Sequence, residues 1–295
     1  MTTKKWIQKN TRSLAGKTVA VSGSTGGIGR QLCAHLCDLG ADLILLDRSR
    51  ERSVALGESL RAAHPSLKVS YITVDLEDMG AVRSAAEELL RRGVDFLILN
   101  AGAYHIPRHR CDTGYDNVFM INFVSPYYLA RRLLPHVASR GGRVVAVGSI
   151  AHGYSRTDPD DIDFSTRKKS SKVYGNAKRY LMFSLLGLRE HRDSVSVTHP
   201  GITLTNITAH YPKLIFAIIK HPMKVIFMSP RRASLCILAG IFDQRSDGNC
   251  WTGPGIFNVW GTPKLRPLST CTEGEAARIR ETAEEILGRV ETENR

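Results

Sequence analysis

Val19-Ala20-Val21-Ser22-Gly23-Ser24-Thr25-Gly26-Gly27-Ile28-Gly29 is the stretch whose reading decides the fold. A short apolar run, the length of a buried strand, enters a glycine-rich turn that opens a helix. Glycines there admit positive φ and let a ligand approach the backbone without a Cβ in the way. The unpaired N–H groups of the helix start can then hold a pyrophosphate. Outward from this turn, apolar strand-like runs alternate with helical patterns: strand 18–22, helix 27–39, strand 42–47, helix 50–63, strand 68–74, helix 78–92, strand 95–99, helix 114–139, strand 143–149, helix 172–191 and strand 194–199. Such alternation predicts a single α/β domain, a doubly wound parallel sheet with helices on both faces.

A second stretch, Tyr174-Gly175-Asn176-Ala177-Lys178, sets a phenol and an ammonium one helical turn apart on one face. Ser149 ends the apolar strand Val144-Val145-Ala146-Val147, so its hydroxyl is expected at the carboxyl edge of the sheet, where open α/β folds bind ligands. Asp47 closes the second strand eighteen residues after Gly29, where a carboxylate can accept both ribose hydroxyls of a dinucleotide and repel a 2′-phosphate. Arg48 follows it and could instead clamp that phosphate. NAD is the expected cofactor, with NADP as the alternative that Arg48 supports.

Ser22-Gly23-x-x-x-Gly27-Ile28-Gly29, Asp75, Asn100-Ala101-Gly102, Asn122, Ser149, Tyr174, Lys178 and Pro200-Gly201 stand in one order along the chain. In this the sequence resembles the classical short-chain dehydrogenase/reductase family, with its Rossmann-like fold, over roughly residues 15 to 262. The long interval from Ser149 to Tyr174, with Ser149-Ile150-Ala151-His152 and His199-Pro200-Gly201, is most similar to the retinol-dehydrogenase-like branch. The resemblance implies that Asp75 meets the adenine with Leu76 beside it, and that Asn100-Ala101-Gly102 lines the ribose. It assigns Ile202 and Thr205, after Pro200-Gly201, to the nicotinamide carboxamide, a role for which Thr203 competes, and Lys178 to the nicotinamide ribose. Asn122 would bend its helix and hold a water in a proton relay. The helices at 114–139 and 172–191 would pair subunits into a homodimer or homotetramer.

On this reading Tyr174 is the general acid/base. A free phenol titrates near ~10, too high for efficient proton removal at neutral pH, and Lys178 together with a positive nicotinamide ring would favour phenolate. Ser149 would steady the developing alkoxide. For His105, His152 and His199, near strand ends, loop packing is the expected role.

The 295 residues are 42% hydrophobic and carry 41 basic against 28 acidic residues, a net +13. No zinc spacing or nucleic-acid recognition motif accompanies that charge, so a basic enzyme surface is expected rather than a nucleic-acid partner, and no metal. The six cysteines form no C-x-x-C pair, and Cys33 and Cys37 read as small apolar residues on a buried helix face. No apolar run is long enough to span a bilayer, and residues 1–17 lack a signal-peptide core, so a cytoplasmic setting is expected.

A basic arm (1–15) precedes the dehydrogenase domain (16–272), and a charge-laced helix (273–295) follows, with Ile279, Ala283, Ile286 and Val290 in one stripe. The charged segment 155–171 reads as solvated surface. Residues 203–228 hold two apolar clusters, Leu214–Ile219 and Val225–Met228, broken by lysines and prolines, and read as an apolar lid over the cleft. The function expected is hydride transfer between a nicotinamide cofactor and a lipophilic alcohol or carbonyl. An NADP-dependent carbonyl reductase and a non-catalytic nucleotide-binding protein of the same fold are the alternatives. The basic arm and the 211–228 segment could also rest on a membrane surface.

Overall fold

The computed structural model describes residues 1–203, 228–243 and 249–292. Helix α1 (Thr3–Asn10) precedes β1 (Thr18–Ser22), α2 (Gly27–Asp38), β2 (Asp42–Asp47), α3 (Arg50–Ala63), β3 (Val69–Thr73), α4 (Met79–Arg92) and β4 (Phe96–Leu99). Next come α5 (Asn117–Phe119), a π-helical turn (Met120–Val124), α6 (Ser125–Ser139), β5 (Arg143–Val147), a 3₁₀ turn (Ile150–Tyr154) and α7 (Ser170–Leu186). A second 3₁₀ turn (Arg189–Ser194), β6 (Val195–Thr198), α8 (Pro230–Phe242), β7 (Cys250–Ile256), β8 (Trp260–Pro267) and α9 (Glu273–Thr292) complete it. The sheet runs β3-β2-β1-β4-β5-β6-β7-β8. Every neighbouring pair is parallel except β7 and β8.

The order reverses at β1 and β4, which are neighbours in the sheet, and the crevice opens at their carboxyl ends. Side-chain alternation along β1 feeds both faces of the sheet. Val19 and Val21 enter a core with Leu32, Leu36, Leu60 and Leu238, while Ala20 faces a core with Val82, Phe119, Leu181 and Ile279. The helical stripe expected in the C-terminal segment is buried in that second core. Cys33 and Cys37 lie in the first, as their spacing suggested.

Four features depart from the sequence reading. The basic arm is a capped helix, its Thr2 hydroxyl accepting from Lys5 N–H at 3.3 Å, and Trp6 is buried among the residues of the first core. The helix expected over 114–139 starts at Asn117 and carries a π turn. The helix α8 and the hairpin β7–β8 were not read from the sequence: a turn at Phe257-Asn258 lacks the glycine that signals a hairpin.

The 155–171 segment is not simply solvated surface. Ser155, Asp163 and Phe164 are buried, Phe164 packs with Val118 and Val173, and Asp163 accepts from Asp116 N–H at 2.8 Å. Its acidic side chains face backbone donors that sequence alone does not reveal. Most of the expected lid, 204–227, lies outside the described residues. Thr203 and Met228, at its two ends, form a parallel bridge.

Candidate functional site

Ser22, Gly23, Gly27, Ile28, Gly29, Asp47, Arg48, Asp75, Leu76, Asn100, Ala101 and Gly102 all line one cavity of about 410 Å³ at the crevice. Its floor is set by Gly23, where φ is +64° and a Cβ would stand 2.8 Å from the Ala101 Cα. Only glycine lets the two strand exits approach so closely. Ser22 and Asn100 fasten those exits together. The Ser22 hydroxyl accepts from Asn100 N–H and Ala101 N–H, both at 3.0 Å, and the Asn100 amide donates to the carbonyls of Ser22 and Gly23, both at 3.0 Å.

Asp47 sits at the end of β2 but is only 6% exposed. Its carboxylate accepts from the Ser24 hydroxyl, from Thr25 N–H (3.1 Å) and hydroxyl (3.0 Å), and from the Ser53 hydroxyl (3.0 Å). Four donors match the acceptor capacity of one carboxylate. Arg48 and Arg52, exposed, line the same part of the cavity. Arg52 and Arg30 both donate to the Thr25 carbonyl, at 3.3 and 3.0 Å, which holds two guanidinium groups over the turn.

At the other end of the crevice, Tyr174 and Lys178 come off α7 with the ammonium 5.8 Å from the phenol ring centroid. Ser149, leaving β5, shares a hydrogen bond with the Tyr174 hydroxyl. Tyr104 packs edge-on against the Tyr174 ring at 5.4 Å. Lys178 is 1% exposed and donates to the Val147 carbonyl at 2.8 Å. Asn122 lies in the π turn, where the widened helix frees its amide to donate to the Ala103 and Val118 carbonyls, both at 2.8 Å, and to accept from Ala103 N–H at 3.2 Å. A Cβ on Gly102 would meet Asn122 Oδ1 at 2.8 Å and Lys178 Nζ at 3.6 Å, so these two side chains converge behind the cofactor cavity.

Burial governs the ionisation of this cluster. It pushes the Tyr174 phenol up to about 12, against the hydrogen bond from Ser149 that draws it down, and brings the Lys178 ammonium down to about 7. The sequence expectation of a phenol pulled down by its lysine meets this stronger opposing effect. Around the protein's own groups, Tyr174 keeps its proton at neutral pH.

Pro200 and Gly201 follow β6 as expected, and Ile202 is 36% exposed. Thr205 lies outside the described residues. The three histidines have structural partners. His105 meets the Ser170 hydroxyl at 3.0 Å. His199 is lowered to about 4 by burial, so its ring stays neutral, and Nε2 meets the Asn258 carbonyl at 3.0 Å. His152 bridges the Ser149 carbonyl and the Thr270 hydroxyl.

One residue of this region was missed. Arg179, next to Lys178, is 2% exposed and forks onto Glu275 of α9, Nε to Oε1 at 2.8 Å and Nη2 to Oε2 at 2.7 Å. It also donates to the carbonyls of His152 (3.3 Å) and Thr270 (2.7 Å). The available signal was an arginine on a helix otherwise largely buried.

Glu77, His109 and Cys111 bring ligand-type atoms within 4.8 Å of one another. Asn117 Nδ2 faces His109 Nδ1 at 3.2 Å and also donates to the Pro107 carbonyl, which makes Nδ1 the acceptor. His109 Nε2 lies 2.8 Å from the Glu77 carboxylate. Asn117 and Glu77 thus give both ring nitrogens of His109 a protein partner.

A family model described as short chain dehydrogenase matches residues 17–158. The chain is 29% identical over 206 residues to retinol dehydrogenase 13 of Homo sapiens, a match that takes in 67% of this chain and 62% of that one. It is 30% identical over 200 residues to a protein of Streptomyces sp. (strain C5) that carries the name of a daunorubicin C-13 ketoreductase, covering 66% and 68% of the two chains. The chain thus spans less than two thirds of the human relative and slightly more of the bacterial one. A short-chain dehydrogenase from Sphingobium yanoikuyae, solved in complex with NADPH, superposes with a TM-score of 0.54 at 26% identity over 65% of this chain and 74% of its own. With the motif residues gathered along one crevice of a doubly wound sheet, these matches settle the family: the chain belongs to the short-chain dehydrogenase/reductases, alongside their retinol-dehydrogenase-like members.

Proposed function

We propose that this protein is an NADP(H)-dependent carbonyl reductase for a lipophilic substrate, running the matching alcohol oxidation in reverse. The observation that supports the reading is the grouping of Ser149 and Lys178 about Tyr174, with Lys178 and Asn122 beside Gly102, a residue lining the cavity that also holds the glycine turn. The bound nicotinamide would supply or accept the hydride. Tyr174, protonated at neutral pH, would give its hydroxyl proton to the carbonyl oxygen. Ser149 would hold that oxygen as charge develops on it. Lys178, its affinity for its proton lowered by burial and its Nζ held by the Val147 carbonyl, would help return a proton to the phenolate.

The finer cofactor choice rests on the β2 exit. Since the Asp47 oxygens already accept four protein hydrogen bonds, the carboxylate offers little to a ribose, while Arg48 and Arg52 offer charge and planar donors to a 2′-phosphate. This reverses the balance drawn from sequence, where Asp47 favoured NAD. The lipophilic substrate is supported by the aromatic wall of Tyr104 beside Tyr174, by the apolar clusters in the 203–228 sequence, and by the name of the retinol dehydrogenase relative.

Turnover of a panel of aromatic and long-chain aldehydes and ketones, followed by the absorbance of the reduced cofactor, is the direct test. Tyr174→Phe should lower kcat at least ~10²-fold and leave cofactor affinity unchanged. A variant that keeps a substantial part of wild-type turnover would remove Tyr174 from the chemistry.

A further inference from the structure

Phe257 occupies the tip of the β7–β8 hairpin, in a tight turn closed by Val259 N–H on the Ile256 carbonyl at 3.0 Å. It is 88% exposed, and its φ is +50°, a region that residues with a Cβ seldom adopt. Asn258 beside it has φ +56°. Turns of this kind favour asparagine and glycine, so neither burial nor backbone geometry accounts for a phenylalanine at the first position. Ile256 (49% exposed) and Trp260 (39%) flank it, so three large apolar side chains face solvent at one projection.

The projection is stiff. From beneath, His199 Nε2 meets the Asn258 carbonyl at 3.0 Å, and the His199 ring stacks on Trp251 at 5.3 Å. The charge on β7–β8 and α8 has one sign. The Arg232 guanidinium lies 4.7 Å from the Trp260 ring centroid, Lys264 is exposed on the same hairpin, and Arg266 beside it donates to the Gly255 carbonyl. Neither β7–β8 nor α8 contains an acidic residue.

We propose that this turn docks the protein on an anionic lipid surface, with Phe257 inserted among the acyl chains, Trp260 at the headgroup level and Arg232 and Lys264 facing the lipid phosphates. A tryptophan suits that boundary because one end of it is apolar and the other can donate a hydrogen bond. Apolar insertion combined with basic neighbours is what peripheral membrane binding needs. A second copy of the chain fits less well, because three side chains on a narrow turn fall far short of the area that a stable dimer buries, of order 1,000 Å² or more. The Val259 carbonyl lies 2.8 Å from where a Cβ on Gly201 would stand, so docking would bring the Pro200–Gly201 end of the crevice to the membrane. That consequence rests on the lipophilic substrate proposed above; the docking itself does not.

The test is flotation of the full chain with vesicles of phosphatidylcholine, with and without phosphatidylserine. Wild type should float with the anionic vesicles. Phe257→Gly should lose about tenfold or more of that partitioning, while its thermal midpoint holds or rises, because glycine suits the turn. Arg232→Gln should lose about fivefold on anionic vesicles only. Absence of wild-type binding, or Phe257→Gly floating as well as wild type, overturns the proposal. So does a dimer-to-monomer shift of Phe257→Gly in size-exclusion chromatography without lipid, which would assign the turn to a second copy. None of these readouts requires turnover, so they stand or fall apart from the carbonyl reductase reading.

Discussion

Asp47 and Glu275 are two carboxylates of nearly equal burial, 6% and 5% exposed, and their surroundings solve the same problem in opposite ways. Glu275 takes a bidentate arginine, so its charge is cancelled by a cation whose other donors go to the backbone carbonyls of His152 and Thr270 and not to a ligand. Asp47 takes neutral donors instead, three hydroxyls and one N–H, and two nearby arginines stay in the cofactor cavity. A buried acid can therefore either consume a neighbouring cation or leave it free for a ligand. Beside the glycine turn the cations are left over, and beside Tyr174 and Lys178 the cation is spent on locking α9 to α7 and to the Ser149 turn.

The largest effect should come from breaking the Glu275 side of this comparison. Glu275→Gln leaves the Arg179 guanidinium buried without its counter-charge, which costs about 3–5 kcal/mol and should lower the thermal midpoint by roughly 10 °C. A fall of only a degree or two would mean that the carbonyls of His152 and Thr270 suffice to hold the arginine.

Next in size is the Asp47 side. Arg48→Ala combined with Arg52→Ala should raise KM for NADPH about 10- to 100-fold, the loss expected for one or two charge-assisted phosphate contacts. KM for NADH should stay nearly constant. If NADH is the preferred cofactor of the wild type, Arg48 and Arg52 do not serve a 2′-phosphate, and Asp47 must exchange its protein donors for ribose hydroxyls.

The smallest effect is a pH dependence that sharpens the contrast. Burial raises the Glu275 carboxyl, but the hydrogen bonds and charge of Arg179 outweigh it, and the net shift is downward. A depressed folded-state value means stability that is fully present above the unfolded value, near ~4.3, and is lost as pH falls through the folded value. The stability gap between wild type and Glu275→Gln should therefore narrow below about pH 4 in urea titrations. A gap that persists unchanged to lower pH would show that the loss in the variant comes from packing and not from the charge.

Local spacing carried much of this molecule. The glycine turn and the Tyr174–Lys178 interval are legible because a strand, a tight turn and one turn of helix each fix their side chains within a few residues. The alternation of periods placed the strands from β1 to β6 and most helices between them. The same reading could not foresee that Ser24, Thr25 and Ser53 would saturate Asp47, although all stand within 24 residues of it, because it cannot tell which way three short hydroxyl side chains turn. Nor could it pair Arg179 with Glu275, 96 residues away.

By itself, then, the sequence determined the doubly wound sheet, the glycine turn and the Tyr174–Lys178 pair, since each depends on periodicity or short contacts along the chain. Tertiary structure alone decided which charges are spent and which are left. It buried Asp47 among neutral donors, committed Arg179 to α9, shifted the ionisation of Tyr174 and Lys178 by desolvation, and lifted Phe257 clear of the surface. Desolvation and charge pairing depend on what distant segments bring alongside, and that is set only when the sheet and its helices close around one another.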